Sequence, residues 1–347
     1  MPAITSGKIL VTGANGYIAV WVVQNLLEQG FSVRGTVRSE EKGTHLKEIF
    51  KSYGDKLELV VVEDITKDGA FDEAVKGVDA IEHTASPFHF NAVDPQELIV
   101  PAVHGTTSVL ASAAKYGQDV KRVIVLSSCA SVIEPSAQPR TFDENNWNEW
   151  SIKEVETKGK DAGNAEKYRA SKTLAEKAAW AFYEKNKASL SWDLVVLNPP
   201  FVFGPVLHAV DSSASLGTSA GDWYKTVLEG SKDEKTLVTF GSAWIDVRDL
   251  ARAHVLALIK QEASENRIIV SAGPFVWQDW INVARKLYPD AGIPAGNQSF
   301  SSTNFAYPVN YDTSRATRLL GLTYRTQEEL TRDSIELFKQ KGWWGSK

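Results

Sequence analysis

A strand, a glycine turn and a helix follow one another at the start of this 347-residue chain, and they constrain its fold more than any other feature. Residues 8–12 form an apolar, β-branched run, and residues 20–29 have helical character. Between them, Gly13 permits a tight turn, and Gly16 lets the backbone approach a pyrophosphate at the positive end of the helix. The small Ala19 allows the helix to pack close to the strand. The spacing G-x-x-G-x-x-A is a variant of the G-x-G-x-x-G fingerprint, and it predicts a dinucleotide-binding site.

The end of the second predicted strand indicates which dinucleotide binds. Enzymes that use NAD usually place an acidic residue there, which accepts a hydrogen bond from the ribose 2′-hydroxyl. This chain has Arg38 at that point, with Lys42 four residues later. Two cations suit a 2′-phosphate, so we predict NADP(H). The alternative is that both are solvated surface charges and that Glu40 or Glu41 binds the ribose.

Strand and helix signals alternate along most of the remaining chain. Such alternation predicts a parallel sheet whose ligands bind at the carboxyl ends of the strands. We therefore predict an α/β fold: a Rossmann-type doubly wound parallel sheet with a smaller C-terminal substrate domain. Further strands of this sheet are expected within the runs 31–37, 57–62, 79–87, 121–126, 193–197 and 267–271.

The length of the chain exceeds the size at which a single core stops growing, which predicts one large and one smaller domain. We expect residues 1–198 and 236–271 to form the NADP-binding Rossmann domain. Residues 199–235 and 272–347 are expected to form the smaller, substrate-binding domain. Residues 236–240 look strand-like.

Composition and charge narrow the classes of function. A net charge of −5 and a pI near 5.8 argue against a nucleic-acid partner. The single cysteine, Cys129, excludes an intramolecular disulfide and favours a reducing compartment. No apolar run approaches the ~20 residues that span a bilayer, and no signal peptide is evident, so we expect a cytoplasmic protein without a membrane partner. The histidines lack metal-ligand spacing, so no metal is expected.

A tyrosine and a lysine four residues apart lie in a run of strong helix formers, residues 164–184. On a helix, Tyr168 and Lys172 share one face. A free tyrosine titrates near pH ~10, and a lysine cation one turn away favours the phenolate, so the pair suits proton transfer near neutral pH. The alternative is an ordinary solvated helix face, where this spacing is common.

Taken in order along the chain, these motifs resemble the extended branch of the short-chain dehydrogenase/reductase family. Within that branch, the chain is similar to the group of plant dihydroflavonol reductases and fungal aldehyde, ketone and methylglyoxal reductases. The resemblance covers essentially the whole chain. It rests on the segments 11–19, 64–65, 84–87, 127–128, 168–172, 198–205 and 246–249, together with Arg38.

This resemblance implies roles for individual residues. Ser128 would bind and orient a substrate carbonyl oxygen, Tyr168 would donate a proton to the developing alkoxide, and Lys172 would hold the nicotinamide ribose and lower the pKa of Tyr168. The implied cofactor-binding residues are Gly13, Asn15, Gly16, Tyr17, Ile18, Arg38, Lys42, Asp64, Ile65, Thr84, Ala85, Ser86, Tyr168, Lys172, Pro199, Phe201 and Val202.

The loops after the strands are expected to line an apolar pocket. Its predicted lining residues are Phe88, Phe90, Cys129, Phe201 and Trp223, although each aromatic residue could equally be ordinary core. Such a pocket suits a small hydrophobic aldehyde or ketone. We therefore expect an NADPH-dependent carbonyl reductase, monomeric or homodimeric. Two alternatives stay open: a nucleotide-sugar epimerase or dehydratase that holds NAD, and a non-catalytic NADP sensor.

Overall fold

A seven-stranded parallel sheet organises the computed structural model, which describes residues 4–86 and 92–345. The first strand is the predicted apolar run, whose residues Ile9, Leu10 and Val11 are fully buried. Burial on both faces of a parallel sheet explains why the run is continuously apolar. The seven strands are β1 Lys8–Thr12, β2 Ser32–Val37, β3 Leu57–Val61, β4 Ala80–His83, β5 Arg122–Leu126, β7 Asp193–Asn198 and β10 Arg267–Ile269.

The strand order places the predicted cleft. From one edge to the other the order is β10-β7-β5-β4-β1-β2-β3, and every neighbouring pair is parallel. The chain therefore reverses direction across the sheet between β1 and β4. At such a switch point the connections leave to opposite sides, and a crevice opens at the carboxyl ends of the two strands.

Helices cover both faces of the sheet. One hydrophobic cluster joins residues of the first and eighth helices to one face, and a second joins residues of the third and fifth helices to the other. The predicted α/β fold with a doubly wound parallel sheet is thereby confirmed. The helices associated with this part of the chain are α1 Tyr17–Glu28, α2 Glu40–Ile49, α3 Gln96–Tyr116, α4 Glu149–Lys158, α5 Asn164–Asn186, α8 Val247–Ile259 and α10 Ser314–Leu320.

Most of a smaller unit with an aromatic core follows the end of β7 in the chain. Buried tryptophans such as Trp223, Trp277 and Trp280 pack there with Phe203 and Phe275. Its elements are a three-stranded sheet of β8 Phe201–Phe203, β9 Gly241–Asp246 and β11 Gly273–Val276, a two-stranded pair of β6 Arg140–Phe142 and β12 Val309–Tyr311, and helices α6 Thr218–Val227, α7 Glu234–Thr239, α9 Trp277–Leu287 and α11 Gln327–Gln340.

The strand predicted at residues 236–240 is wrong. Residues 234–239 form helix α7, and the Asp233 side chain caps it by accepting a hydrogen bond from the Thr236 backbone amide at 2.9 Å. A cap signal in the sequence thus outweighed a short β-branched run. The next strand, β9, pairs with β8 and β11 rather than with the large sheet.

Among the residues that the structure describes, no helix is both long enough and apolar enough to cross a membrane.

Candidate active site

A cleft runs along the carboxyl ends of the central strands. Two cavities of about 310 and 330 Å³ share the glycine turn as a common wall, and Gly13, Gly16, Thr84 and Ser86 line both. The first cavity extends to the end of β2, and the second extends to the end of β5 and to helix α5. The cleft therefore lies where a dinucleotide binds in this type of sheet.

The glycine turn is held close to the chain that follows β4. Gly13 has a φ of +63°, and a Cβ on it would lie 3.1 Å from both the Cα and the Cβ of Ala85. The Thr12 hydroxyl fixes that approach, because it accepts hydrogen bonds from the backbone amides of Thr84 at 3.1 Å and Ala85 at 3.0 Å. A side chain at position 13 would thus be strained and would push the cleft wall outward.

Replacing Gly13 with Ala tests this close approach. Gly77 is a matched control, because its φ is +64° and a Cβ there would have no atom within 4 Å. Both variants are expected to lose about 1 kcal/mol of unfolding free energy from the left-handed backbone. Only Gly13→Ala should weaken NADPH binding, measured by titration of protein fluorescence. Equal NADPH affinity in the two variants would contradict a cofactor role for the turn.

Two cations lie at the far end of the 310 Å³ cavity. Arg38 and Lys42 both line it, and both are exposed. Within residues 4–86 and 92–345, neither forms a salt bridge, so both are available to a ligand. The cavity also has Asn15, Ile65 and Ala85 on its wall.

Asp64 does not line this cavity, although the resemblance assigned it to the cofactor. Its Oδ1 accepts hydrogen bonds from the Thr66 backbone amide at 2.9 Å and from the Thr66 hydroxyl at 2.6 Å. These bonds hold the pKa of Asp64 below its usual range. The carboxylate thus caps its own turn, as aspartates commonly do.

The structure brings Ser128, Tyr168 and Lys172 together at the other end of the cleft, where all three line the 330 Å³ cavity. Ser128 follows the end of β5, and its side chain forms a hydrogen bond with the Tyr168 phenol. Lys172 lies one helical turn beyond Tyr168, and its Nζ donates to the Ser86 hydroxyl at 3.0 Å. Helix α5 and the strand ends thus bring together three groups that can polarise a carbonyl and protonate its oxygen.

Burial is the main cause of the pKa shifts of Tyr168 and Lys172. It raises the pKa of Tyr168 above its ordinary value, although the Ser128 hydrogen bond opposes the change. Lys172 is not among the groups that shift this pKa here, so its predicted lowering of the Tyr168 pKa stays a prediction. Burial also lowers the pKa of Lys172 to about 8, because an ammonium group loses hydration, and Glu176 acts in the opposite direction. Near neutral pH, the site thus holds a protonated tyrosine beside a cationic lysine.

A third cavity, of about 360 Å³, opens on the other side of Ser128 and Tyr168. Cys129 and Phe201 lie on its wall, at positions predicted for a substrate pocket. Phe201 does not line the 330 Å³ cavity of the cleft, where the resemblance had assigned it to the cofactor. The other predicted cofactor residues Tyr17, Ile18, Pro199 and Val202 do line that cavity.

One further predicted residue, Trp223, does not line this cavity. Trp223 is 2% exposed and packs against Trp280 in the aromatic core, with ring centroids 6.1 Å apart, so its assignment to the pocket wall is wrong. The preceding residue, Asp222, lines the cavity instead. Phe88 and Phe90 lie outside the described residues.

Sequence reasoning missed several wall residues. Tyr311, on β12, and Arg169, directly after Tyr168, both line the 360 Å³ cavity, as do Ile133, Asp222, Phe240 and Ser242. The wall therefore includes charged groups as well as apolar ones. The position of Arg169 on helix α5 was a usable signal, but Tyr311 lies far along the chain and no local pattern marks it.

The sequence also contained a signal for one buried residue of α5, Glu176. Glu176 follows Lys172 by one turn, so Tyr168, Lys172 and Glu176 are spaced four residues apart on one helix face. That spacing was a signal available in the sequence.

Comparison with known proteins agrees with this geometry. A model of the NAD-dependent epimerase/dehydratase family matches residues 9–273. The ketoreductase azaE of Aspergillus niger is 36% identical over 340 residues, covering 94% of this chain and 96% of its own. The NADPH-dependent methylglyoxal reductase GRE2 of Saccharomyces cerevisiae is 36% identical, covering 96% and 99%. The crystal structure of yeast methylglyoxal/isovaleraldehyde reductase Gre2 complexed with NADPH has a TM-score of 0.86 at 34% identity, covering 96% of this chain and 99% of that chain.

Proposed function

The chain belongs to the NAD-dependent epimerase/dehydratase family, and within it we propose an NADPH-dependent carbonyl reductase that converts aldehydes and ketones to alcohols. The observation that carries this proposal is the convergence of Ser128, Tyr168 and Lys172 where the dinucleotide cleft meets a separate cavity. A carbonyl in that cavity would lie between a hydroxyl donor and a proton donor. The full-length similarity to fungal carbonyl reductases supports the same activity.

The residues of the cleft fit NADP(H). The glycine turn leaves room for a pyrophosphate because positions 13 and 16 lack a Cβ. A Cβ at position 13 would crowd Ala85, and one at position 16 would crowd the Gly13 carbonyl oxygen. Arg38 and Lys42 would bind the 2′-phosphate, since a guanidinium group can contact phosphate oxygens through two N–H groups. Lys172 would hold the nicotinamide ribose.

The chemistry divides between cofactor and protein. Bound NADPH supplies the hydride that reduces the carbonyl carbon. Ser128 donates a hydrogen bond to the carbonyl oxygen and orients it, and Tyr168 transfers its phenolic proton to that oxygen as negative charge develops. The raised pKa of Tyr168 keeps the phenol protonated at neutral pH, as a proton donor must be. Lys172 contributes a positive charge beside the forming phenolate.

The proposed substrate is a small hydrophobic aldehyde or ketone. Apolar wall residues such as Ile133, Phe201 and Phe240 would contact its body, and the reacting oxygen would face Ser128 and Tyr168. A cytoplasmic location, which the single cysteine favours, and a monomeric or homodimeric state remain predictions.

Consumption of NADPH with a panel of aldehydes, diketones and aryl ketones tests this function, with NADH as the comparison. We expect oxidation of NADPH that is fastest with hydrophobic carbonyls and much slower oxidation of NADH. If NADPH binds but no carbonyl compound in the panel is reduced, the proposal fails and the sensor alternative gains support.

The rate of reduction should depend on the charge of Lys172. Burial places the pKa of this lysine at about 8, below its ordinary value, so its positive charge is present below that pH and lost above it. We expect kcat/KM for the carbonyl substrate to be flat between about pH 6 and 7 and to fall as the pH rises through about 8. Tyr168 stays protonated across this interval, since its pKa is raised. A profile that stayed flat well above pH 9 would contradict the role of Lys172.

A further inference from the structure

A buried carboxylate lies directly behind the three proposed catalytic groups. Glu176 is 1% exposed, and its Oε2 accepts hydrogen bonds from the Ser127 hydroxyl at 2.5 Å, the Ser131 hydroxyl at 2.5 Å and the Asn198 amide at 2.7 Å. Its Oε1 forms a salt bridge with the Nε of Arg267. Both oxygens are thus engaged, and a carboxylate with this many donors is held in one orientation.

The groups that Glu176 holds are those that fix the backbone of Ser128. The Ser128 carbonyl oxygen lies 2.7 Å from the Ser131 hydroxyl, whose single proton it shares with Glu176, and it accepts a hydrogen bond from the Asn198 amide at 3.2 Å. Ser127, the residue before it, donates its backbone amide to the Leu197 carbonyl oxygen at 2.9 Å. The carboxylate therefore ties together the ends of β5 and β7 and the short turn after Ser128. A displacement of this network would move the Ser128 hydroxyl.

The same carboxylate faces the active-site lysine. Glu176 and Lys172 both line one small cavity of about 10 Å³, together with Ser86 and His83. The groups that face Lys172 are Tyr168 and Glu176 on its own helix, His83 from β4 and Ser86 from the segment after it. Burial lowers the pKa of His83 to about 3, so this imidazole is neutral. Glu176 is then the negative charge among these groups, and it favours the cationic form of Lys172.

We propose that Glu176 is a positioning residue of the active site, which fixes the Ser128 backbone through Ser127, Ser131 and Asn198 and supplies the negative charge opposite Lys172. This inference rests on the proposed carbonyl reductase activity. The carboxylate contacts neither substrate nor cofactor, and it acts through the two residues that do. No redox or covalent step is assigned to it.

Glu176→Gln tests both parts of the proposal. The amide keeps the shape of the side chain, but it loses the charge, and its NH₂ group cannot accept the hydrogen bonds that one carboxylate oxygen now receives. We expect kcat to fall by about 10- to 100-fold through displacement of Ser128, with little change in the NADPH dissociation constant. The alkaline midpoint of kcat/KM should fall by about one pH unit, because Lys172 loses a neighbouring negative charge.

Loss of a buried carboxylate also destabilises a protein, so a matched control is needed. Asp193→Asn is that control, because Asp193 is fully buried and its two oxygens pair with Arg122 at 2.7 and 2.8 Å, at the opposite ends of β5 and β7. It should lower the melting temperature and leave kcat and the alkaline midpoint unchanged. If Glu176→Gln does not fold, the double variant E176Q/R267Q removes both buried charges, and its midpoint should still move to lower pH, by a smaller amount.

The outcomes separate this inference from the function on which it rests. A Glu176→Gln enzyme with wild-type kcat and alkaline midpoint overturns the positioning role, and so does Asp193→Asn if it shifts the midpoint equally. Either result leaves the carbonyl reductase activity standing, which the Tyr168→Phe variant tests independently. A lower midpoint in the Glu176 variant alone supports the role.

Discussion

Replacing Tyr168 with Phe is expected to lower kcat about a thousandfold while the NADPH dissociation constant changes little. The reason is that Phe keeps the ring in its place but removes the phenolic proton that we assign to the carbonyl oxygen, and general acid catalysis contributes about 10²- to 10⁴-fold. The measurement is steady-state NADPH oxidation with a reactive aldehyde, alongside NADPH binding by fluorescence titration.

A second tyrosine on the same helix controls for the loss of a buried hydroxyl. The Tyr183 phenol, fifteen residues after Tyr168 on α5, donates to Glu265 at 3.1 Å. Its ring packs away from the cleft, in the hydrophobic cluster that joins α3 and α5 to the sheet. Tyr183→Phe should therefore retain wild-type kcat. If Tyr168→Phe kept more than about a tenth of the wild-type kcat, the proton donor would have to be another group.

Replacing Arg38 with Ala should raise the Michaelis constant for NADPH by about 10- to 100-fold. A hydrogen bond to a charged group contributes about 1.5–3 kcal/mol, and the guanidinium of Arg38 has no salt-bridge partner among the described residues that would compete with a phosphate. The Michaelis constant for NADH should change by less than about twofold, since NADH lacks the 2′-phosphate. The preference for NADPH would then largely disappear.

Arg34, on strand β2 just before Arg38, provides the matched cation. Its Nη1 donates to the carbonyl oxygens of Ala74 at 3.0 Å and Lys76 at 2.7 Å, and its Nε pairs with Glu58, so it is engaged away from the cleft. Arg34→Ala should lower stability and leave the ratio of the two Michaelis constants unchanged. If Arg38→Ala raised both constants in parallel, the assignment of Arg38 to the 2′-phosphate would be wrong.

The parts of the fold that could be predicted from sequence are those whose signals are local. The run 8–12 and the glycines at 13 and 16 form strand, turn and helix within one short segment, and the spacing of Tyr168 and Lys172 depends only on helix geometry. The alternation of strands and helices also predicted the parallel sheet correctly. In each case, the physical cause of the structure lies within the segment or in its immediate neighbour.

The parts that could not be predicted concern residues whose environment is assembled from distant segments. Asp222 and Trp223 are adjacent on α6, and only packing against Trp280 decides that the tryptophan points into the core and the aspartate toward the cavity. Tyr311 reaches the pocket because β12 pairs with β6, far away in the chain. The direction of the Tyr168 pKa likewise depends on burial, which no spacing of residues reveals.

Transfer of deuterium tests directly whether the enzyme reduces carbonyl compounds with NADPH. NADPH that carries deuterium at its transferable position is incubated with the enzyme and a hydrophobic aldehyde or ketone, and the alcohol is analysed by mass spectrometry and NMR. A carbonyl reductase yields an alcohol with one deuterium on the former carbonyl carbon and an equal amount of oxidised cofactor. Bound NADPH that stays reduced in the presence of every carbonyl compound tested, with no deuterium in any product, would contradict the proposed function.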